Sequence, residues 1–385
     1  MRIGILTYHR AVNYGAVMQS YSLSGRIARD FPDASVEIID FNPKARERFK
    51  LKCPLVFTYR RGLGAAWKKA VQTRVFNKFV KRLPVGKKML SKSFDTIEKY
   101  MSENYDVVIV GSDAVFNWND IGIPNPYFLG NTRVKKKLSY AASSHLQFFG
   151  NVSEEQKKYL KSALCDLDYI GVRDESTRDF VKGATDGEKE ASHNCDPTIF
   201  LDMNFPKDNL DSKLKKHKFD RNKKTVFVML MHPEYAEYTR RYFGEDVQIV
   251  ALMDSNPHAD IYLHDLNPFE WAHVFSYGDM LITDYFHGTI LGLKNGIPVL
   301  SIDASRYCKD GYESKAHDLL FKRLDYPTLY VNAEELKGEG GYARFAEAVD
   351  GALGSFDKER LMNAISKEAL AYENFAVHLK GVFNS

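Results

Sequence analysis

Short continuous apolar runs alternate with segments of helical periodicity along most of the chain, and that alternation restricts the fold more than any other feature. Arg2 to Tyr8 reads as a short buried strand ending at a polar turn, and Asn13-Tyr14-Gly15 precedes a helix over Ala16 to Ala28. Strands are expected at Val36 to Asp40, Asp106 to Val110, Leu138 to Ala142 and Tyr169 to Val172, with helices at Glu154 to about Leu164 and Glu175 to Lys182. Gly183 to Asn194 and the polar run Lys207 to Lys224 read as a seam. The pattern then restarts: strands at Thr225 to Met231, Val247 to Met253, Met280 to Thr283 and Pro298 to Ile302, and helices at Glu234 to Tyr242, Phe269 to Phe275 and Phe286 to Lys294. Strands separated by helices build a mostly parallel sheet covered on both faces. The expectation is an α/β chain of two Rossmann-like domains facing a cleft: residues 1–205, with a basic insertion at about 44–92, and residues 206–355. A helix over Phe356 to Leu379, within residues 356–385, is expected to cross back to the first domain. Ligands then belong at the carboxyl ends of the strands.

The charge is unevenly distributed. The 385 residues carry a net charge of +4, yet Lys44 to Lys92 hold 16 Lys or Arg against one acid, Glu47. Such a segment calls for an anionic partner or a solvated face. The four cysteines, Cys53, Cys165, Cys195 and Cys308, show no CxxC spacing, which argues against a zinc ribbon, an iron–sulfur site or a disulfide scaffold. With no apolar run long enough to span a bilayer and no signal-peptide pattern at the start, the expectation is a soluble, cytoplasmic protein.

Common catalytic signatures are missing. There is no GxxxxGK[ST], no GxGxxG after the first strand, no GxSxG and no HExxH, which argues against a P-loop NTPase, a standard NAD enzyme, an α/β-hydrolase or a zincin. No metal site is expected. Polar clusters instead follow the expected strands: Asn13-Tyr14-Gly15, Gly111-Ser112-Asp113, Arg173-Asp174 and Asp284-Tyr285-Phe286-His287-Gly288. Glycine lets backbone approach a ligand, and helix N-termini favour anions. His287 is the strongest candidate for chemistry, a general acid or base with Asp284 three residues earlier to orient its ring or raise its pKa. The structural alternative is a corner histidine that closes the turn. Arg173 reads as a bidentate anion clamp or as an ion pair with Asp174 or Glu175. Asn13 and Asp113, each taken alone, read more readily as caps of the helices that follow than as ligand contacts.

The ordered set GILTYHRAVNYGAVMQSYSL (4–23), DVVIVGSDAVFNW (106–118), YAASS (140–144), GVRDESTRDF (171–180), CDPTIF (195–200) and ITDYFHGTILGLKNGIPVLSID (282–303), with the weaker YESKAHDLLFKRL (312–324), resembles the polysaccharide pyruvyl transferases. The resemblance implies a GT-B-like fold and transfer of the enolpyruvyl unit of phosphoenolpyruvate to a sugar as a pyruvate ketal. Phosphoenolpyruvate is then a co-substrate, and no cofactor is needed. It implies His287 as acid/base, Arg173 and Lys315 as donor contacts, and backbone N–H groups at Gly288. Asn13, Tyr14, Gly15, Ser112, Asp113 and Asn117 are left as acceptor or cleft residues. Three positions depart from the family. Tyr285 stands where the well-studied branch has an Arg of the donor grip and, as a donor-binding residue, would give one hydrogen bond but no charge, with Arg306, Lys309 or Lys315 as candidate replacements for the charge. Ala114 and Phe116 stand where Gln and Trp are expected.

Residues 65–83 place Trp67, Val71, Val75, Phe76, Phe79 and Leu83 at helical spacing among Lys68, Lys69, Arg74, Lys78, Lys81 and Arg82. This fits a helix lying on an anionic membrane surface, suited to an exopolysaccharide precursor on a lipid carrier. It fits better a helix packed on its own domain with a solvated basic face, and less well a nucleic-acid contact, for which no motif is present. The expected function is pyruvyl transfer to a lipid-linked or nucleotide-linked glycan, peripheral on the inner membrane face. A GT-B glycosyltransferase using a nucleotide sugar and a non-catalytic glycan- or membrane-binding relative are the alternatives.

Overall fold

The computed structural model describes residues 1–43, 63–89, 93–119, 121–145, 152–304 and 313–383. In chain order, β1 (Arg2–Leu6), α1 (Tyr14–Asp30) and β2 (Ser35–Ile38) lead to α2 (residues 63–79), α3 (Phe94–Asn104), β3 (Val107–Asp113) and β4 (Lys136–Ala142). Then come α4 (Glu154–Cys165), β5 (Tyr169–Val172), α5 (Glu175–Ala184), β6 (Ser192–His193), α6 (Leu210–Lys216), β7 (Thr225–Met229), α7 (Glu234–Phe243), β8 (Gln248–Leu252) and β9 (Ile261–Leu263). The remainder is α8 (Pro268–Val274), β10 (Met280–Thr283), α9 (Phe286–Lys294), β11 (Val299–Asp303), α10 (Lys315–His317), β12 (Tyr330–Asn332), α11 (Gly341–Gly354), α12 (Lys358–Ala369) and α13 (Glu373–Phe383).

The chain forms two compact units, each around one parallel six-stranded sheet. The first unit comprises Met1–Cys53, Val80–Leu201 and Ala369–Ser385; the second comprises Pro54–Phe79 and Asp202–Glu368. The first sheet has the order β2-β1-β3-β4-β5-β6 and the second β12-β11-β10-β7-β8-β9. Every strand pair in them is parallel. The central strands are mainly apolar because helices cover both of their faces: Ile3, Ile5, Val107, Val108 and Ile109 in one sheet, and Val226, Phe227, Ile249, Leu281 and Leu300 in the other, have no appreciable solvent exposure.

Several expected boundaries shift. Strand β3 runs on through Gly111-Ser112-Asp113, because Gly111 and Asp113 stay in register with Tyr140 and Ala142 of β4. The Gly183 to Asn194 stretch contains β6, the edge strand of the first sheet, so it is not seam. The polar run Lys207 to Lys224 contains α6, which buries Leu210 and Leu214. The basic helix α2, expected with the first domain, packs in the second unit. Gln72 Nε2 donates to the Met253 carbonyl at 3.1 Å, and the Phe79 ring meets Phe269 edge-on at 4.7 Å. The single helix expected over Phe356 to Leu379 is two helices separated by a 3-10 turn at Leu370–Tyr372. Helix α12 buries Leu361 and Ile365, whereas α13 returns to the first unit and sets Phe375 against Tyr140 at 4.8 Å and against Tyr169 at 5.6 Å.

Candidate active site

Each sheet has one place where the chain reverses its direction of winding, and in open parallel sheets such switch points, outside the carboxyl ends of the strands, are where ligands bind. In the first unit the reversal lies between β1 and β3, and in the second between β7 and β10. The sequence candidates fall at these ends, each unit holding its own group.

In the first unit, Asn13 caps α1: its Oδ1 accepts the Ala16 N–H at 3.2 Å. Tyr14 and Gly15 are buried in the first turn of α1. Ser112 Oγ donates to Gln19 Oε1 at 2.8 Å, and its carbonyl accepts Thr7 Oγ1 at 2.7 Å, tying the ends of β1 and β3 together. Asp113 holds a positive φ of 107° and accepts the Ala114 N–H at 2.7 Å. Asn117 closes its own loop by accepting the Asn119 N–H. Arg173, at the end of β5, pairs with neither Asp174 nor Glu175. Its side chain is 1% exposed; Nη1 donates to Asp196 Oδ2 at 2.9 Å, and Nη2 lies 3.8 Å from Asp113 Oδ1. Asp174 caps α5 through the Thr177 N–H, and Glu175 pairs with Arg178. Asp196 and Asp113 thus flank the guanidinium, so that Arg173 ties the loop after β6 to the end of β3.

Sequence reasoning passed over the neighbouring group at the end of β1. His9 is fully buried, its Nε2 3.2 Å from Asp40 Oδ1 and its Nδ1 3.2 Å from the Thr7 carbonyl. Arg10 makes a bidentate pair with the same carboxylate, both contacts at 2.5 Å. Burial opposes ionisation of Asp40, but the hydrogen bonds from His9 and Arg10 outweigh it and hold the carboxyl well below the usual range. The signal was two residues adjoining a strand end, His9-Arg10, without their distant partner.

In the second unit, His287 and Gly288 lie in the first turn of α9, where N–H groups lack intrahelical acceptors. Gly288 is explained by packing: a Cβ there would sit 2.8 Å from Thr283 Oγ1 and 3.2 Å from Met229 Sδ. Asp284 does not orient the His287 ring as expected. Both its oxygens accept the Met231 N–H at 2.9 Å, and Oδ2 also accepts the His232 N–H at 3.2 Å, so the carboxyl bridges the ends of β10 and β7. Burial pushes it up to about 6, against the pull of these N–H groups. Tyr285 donates its hydroxyl to Asp254 Oδ2 at 2.7 Å. Lys315 opens α10 with its Nζ 5.0 Å from the centre of the Phe286 ring, and that ring meets His287 edge-on at 5.3 Å. The fold therefore brings Lys315, from a segment after β11, to the start of the helix that carries His287. Arg306 and Lys309 lie outside the described residues. Asp254 and His232 were not singled out from sequence.

Among the described residues, one group has metal-ligating types close together: Glu313, His317 and Asp318, whose ligating atoms lie within 4.8 Å of one another. The Lys322 ammonium already occupies it, 3.1 Å from Glu313 and 2.8 Å from Asp318. Among the same residues no helix is long and apolar enough to cross a membrane.

No curated protein matches the chain in sequence. Solved structures do match in fold. The S. aureus MnaA–UDP co-structure has 11% identity and a TM-score of 0.55 over 100% of this chain and 96% of that one. The UDP-GlcNAc 2-epimerase from Methanocaldococcus jannaschii has 12% identity and a TM-score of 0.54 over 97% and 99%. Sucrose-phosphate synthase from Thermosynechococcus elongatus has 9% identity and a TM-score of 0.51 over 100% and 98%. At such identities the likeness concerns the fold alone, which is GT-B-like. The family model for polysaccharide pyruvyl transferase matches residues 13–306, a span that takes in both switch points and His287. By that match over more than half its length, the chain belongs to the polysaccharide pyruvyl transferase family and is an enzyme.

Proposed function

We propose that the enzyme transfers the enolpyruvyl unit of phosphoenolpyruvate to a hexose of a cell-surface glycan precursor, leaving a pyruvate ketal. Protonation of the donor's carbon 3 makes carbon 2 electrophilic; a sugar hydroxyl attacks there and loses its proton. Inorganic phosphate departs, and a second hydroxyl of the same sugar closes the ketal. The chemistry asks for a proton-transfer group and for positive charge around the donor's carboxylate and phosphate. The observation that carries the reading is the corner of the second unit where His287, the N-terminus of α9 and Lys315 come together at a switch point. His287 moves the proton; Lys315 and the first N–H groups of α9 hold the donor. Arg173 acts as a positioning residue through Asp113 and Asp196.

Titration calorimetry with phosphoenolpyruvate tests this. Saturable binding is expected for the native chain, weakened in Lys315→Ala. In His287→Ala binding persists, and phosphate release in the presence of lipid-linked glycan precursors falls by about 10²–10⁴-fold, the usual contribution of a general acid or base. Binding of a panel of UDP-sugars with silence toward phosphoenolpyruvate would instead support glycosyl transfer, a reading favoured by the Tyr285 hydroxyl pointing to a carboxylate rather than being replaced by a cation.

We also propose that α2 rests on an anionic, cytoplasmic membrane surface, where a lipid-linked acceptor would be met. Phe76 and Phe79 are buried within the second unit and cannot insert, but Leu63 is 80% and Trp67 60% exposed beside Lys68 and Lys69.

A further inference from the structure

At the carboxyl-end rim of the second sheet, Lys315 and Asp254 stand on opposite sides. Along the strand order β11-β10-β7-β8, Lys315 comes from the segment after β11, His287 and Tyr285 follow β10, and Asp254 follows β8. The pair at the β8 side is built to accept hydrogen bonds, not to donate them. The single proton of the Tyr285 hydroxyl is given to Asp254 Oδ2 at 2.7 Å, leaving the phenol oxygen only lone pairs. Asp254 Oδ1 has no hydrogen bond among the described residues. Burial and the neighbouring Asp254 charge keep the phenol protonated far above its ordinary range, and the same charge is one cause of the raised Asp284.

The pair is also held in place. The Met253 carbonyl, one residue before Asp254, accepts from Tyr262 Oη at 2.9 Å and from Gln72 Nε2 of α2 at 3.1 Å. Met253 has a positive φ of 66°. Two donors from separate elements thus fix the backbone that carries the carboxylate. A carboxylate and a phenol oxygen presenting lone pairs suit a group rich in hydroxyl donors, and they repel phosphate and carboxylate.

We propose that Asp254 and Tyr285 form the subsite for the neutral, hydroxyl-bearing sugar and exclude the anionic co-substrate from the β8 side of the rim. The assignment deepens the pyruvyl-transfer reading and rests on it for the identity of the anion. Sugar and anion then approach His287 from opposite sides, and the specificity-determining feature is the pair of hydrogen-bond acceptors that Asp254 and Tyr285 present.

Two binding measurements on the full chain test this. Saturation-transfer NMR with methyl glycosides of glucose, galactose and mannose should give a signal in the native chain that disappears in both Asp254→Asn and Tyr285→Phe. Calorimetry with phosphoenolpyruvate and with inorganic phosphate should show Asp254→Asn binding at least one of them about three- to fivefold more tightly than the native chain, the scale of removing one partly exposed like charge. Tyr285→Phe keeps the charge and should show no such gain. Near-UV circular dichroism confirms that both variants are folded. Absence of any sugar signal in the native chain, sugar signals unaffected by the variants, or anion binding weakened in Asp254→Asn would each overturn the assignment. Failure of phosphoenolpyruvate to bind the native chain counts against the pyruvyl donor, while a sugar signal dependent on Asp254 and Tyr285 would still establish the subsite.

Discussion

Substituting Asp284 by Asn separates two opposing effects that meet on one carboxyl. The ionised side chain accepts the Met231 and His232 N–H groups across the ends of β7 and β10, and Asn, with one acceptor oxygen, loses part of that bridge. Hydrogen bonds to a charged acceptor contribute about 1.5–3 kcal/mol. Against this, burial raises the carboxyl from 3.8 to about 6, so ionising it in the folded state has a cost that Asn never meets. A raised acid binds its proton more tightly in the folded than in the unfolded chain, and its stability contribution is therefore lost as pH rises from about 4 to about 6. Between about pH 4.5 and about pH 7.5 the window covers roughly 1.5 pH units, which at about 1.4 kcal/mol per unit is about 2 kcal/mol. The measurement is urea unfolding of both chains at the two pH values, taking the difference so that other titrating groups cancel. Asp284→Asn should gain about 2 kcal/mol relative to the native chain on going from the lower to the higher pH, on the scale of one proton-linked group. A difference that stays constant to within about 0.5 kcal/mol would refute the claim that the folded state holds a buried carboxyl at this position.

Other positions make separate predictions. Gly171→Ala places a Cβ 1.8 Å from Asn194 Oδ1 and 2.8 Å from the Ser139 carbonyl; a loss above about 3 kcal/mol is expected, and a urea midpoint near the native value would contradict the packing described. Asp40→Asn removes the shared acceptor of His9 and Arg10 and should cost about 1–3 kcal/mol near neutral pH, discounted for the partly exposed Arg10. Because the native carboxyl is depressed, that advantage exists above about pH 4 and shrinks as pH falls further. An undiminished gap in thermal unfolding near pH 3 would be inconsistent with this pairing.

Where apolar runs are short and bounded by polar turns, local sequence is sufficient. Tyr169–Val172, Met280–Thr283 and Phe286–Lys294 are found at the residues expected, because fully buried parallel strands read as short apolar runs and the helix starts at a polar corner. Strands β9 and β12, three residues each, are too short to show a period. The break at Leu370–Tyr372 has no glycine or proline to announce it; two helices part there because their apolar faces serve different cores. The pattern of α2 shows a helix with one apolar face but does not reveal that Gln72, not a hydrophobic residue, would be wholly buried against Met253.

At the site, positions near strand ends were legible and partners were not. Arg173 meets Asp196, and His9 meets Asp40, across intervals that no local motif encodes. Asp284 stands three residues from His287, which suggested a side-chain pair, yet its oxygens find backbone N–H groups of a different strand end. Such pairings follow from sheet order, and sheet order is a property of the whole unit.

The excursion of the chain out of the first unit and back through α13 has a consequence for biosynthesis. When β6 has left the ribosome, the hydrophobic wall formed by Tyr140 and Tyr169 still lacks Phe375, and Phe31 lacks Phe383. At about 5–20 residues per second, the Asp202–Glu368 stretch takes on the order of ten to thirty seconds to emerge. For that interval the first unit is an unfinished nascent body with an apolar flank in reach of chaperones, while the larger part of the second is made and matures first. A stop codon or proteolytic nick just after Glu368 would spare the corner that holds His287 and strand the other sheet without its cover.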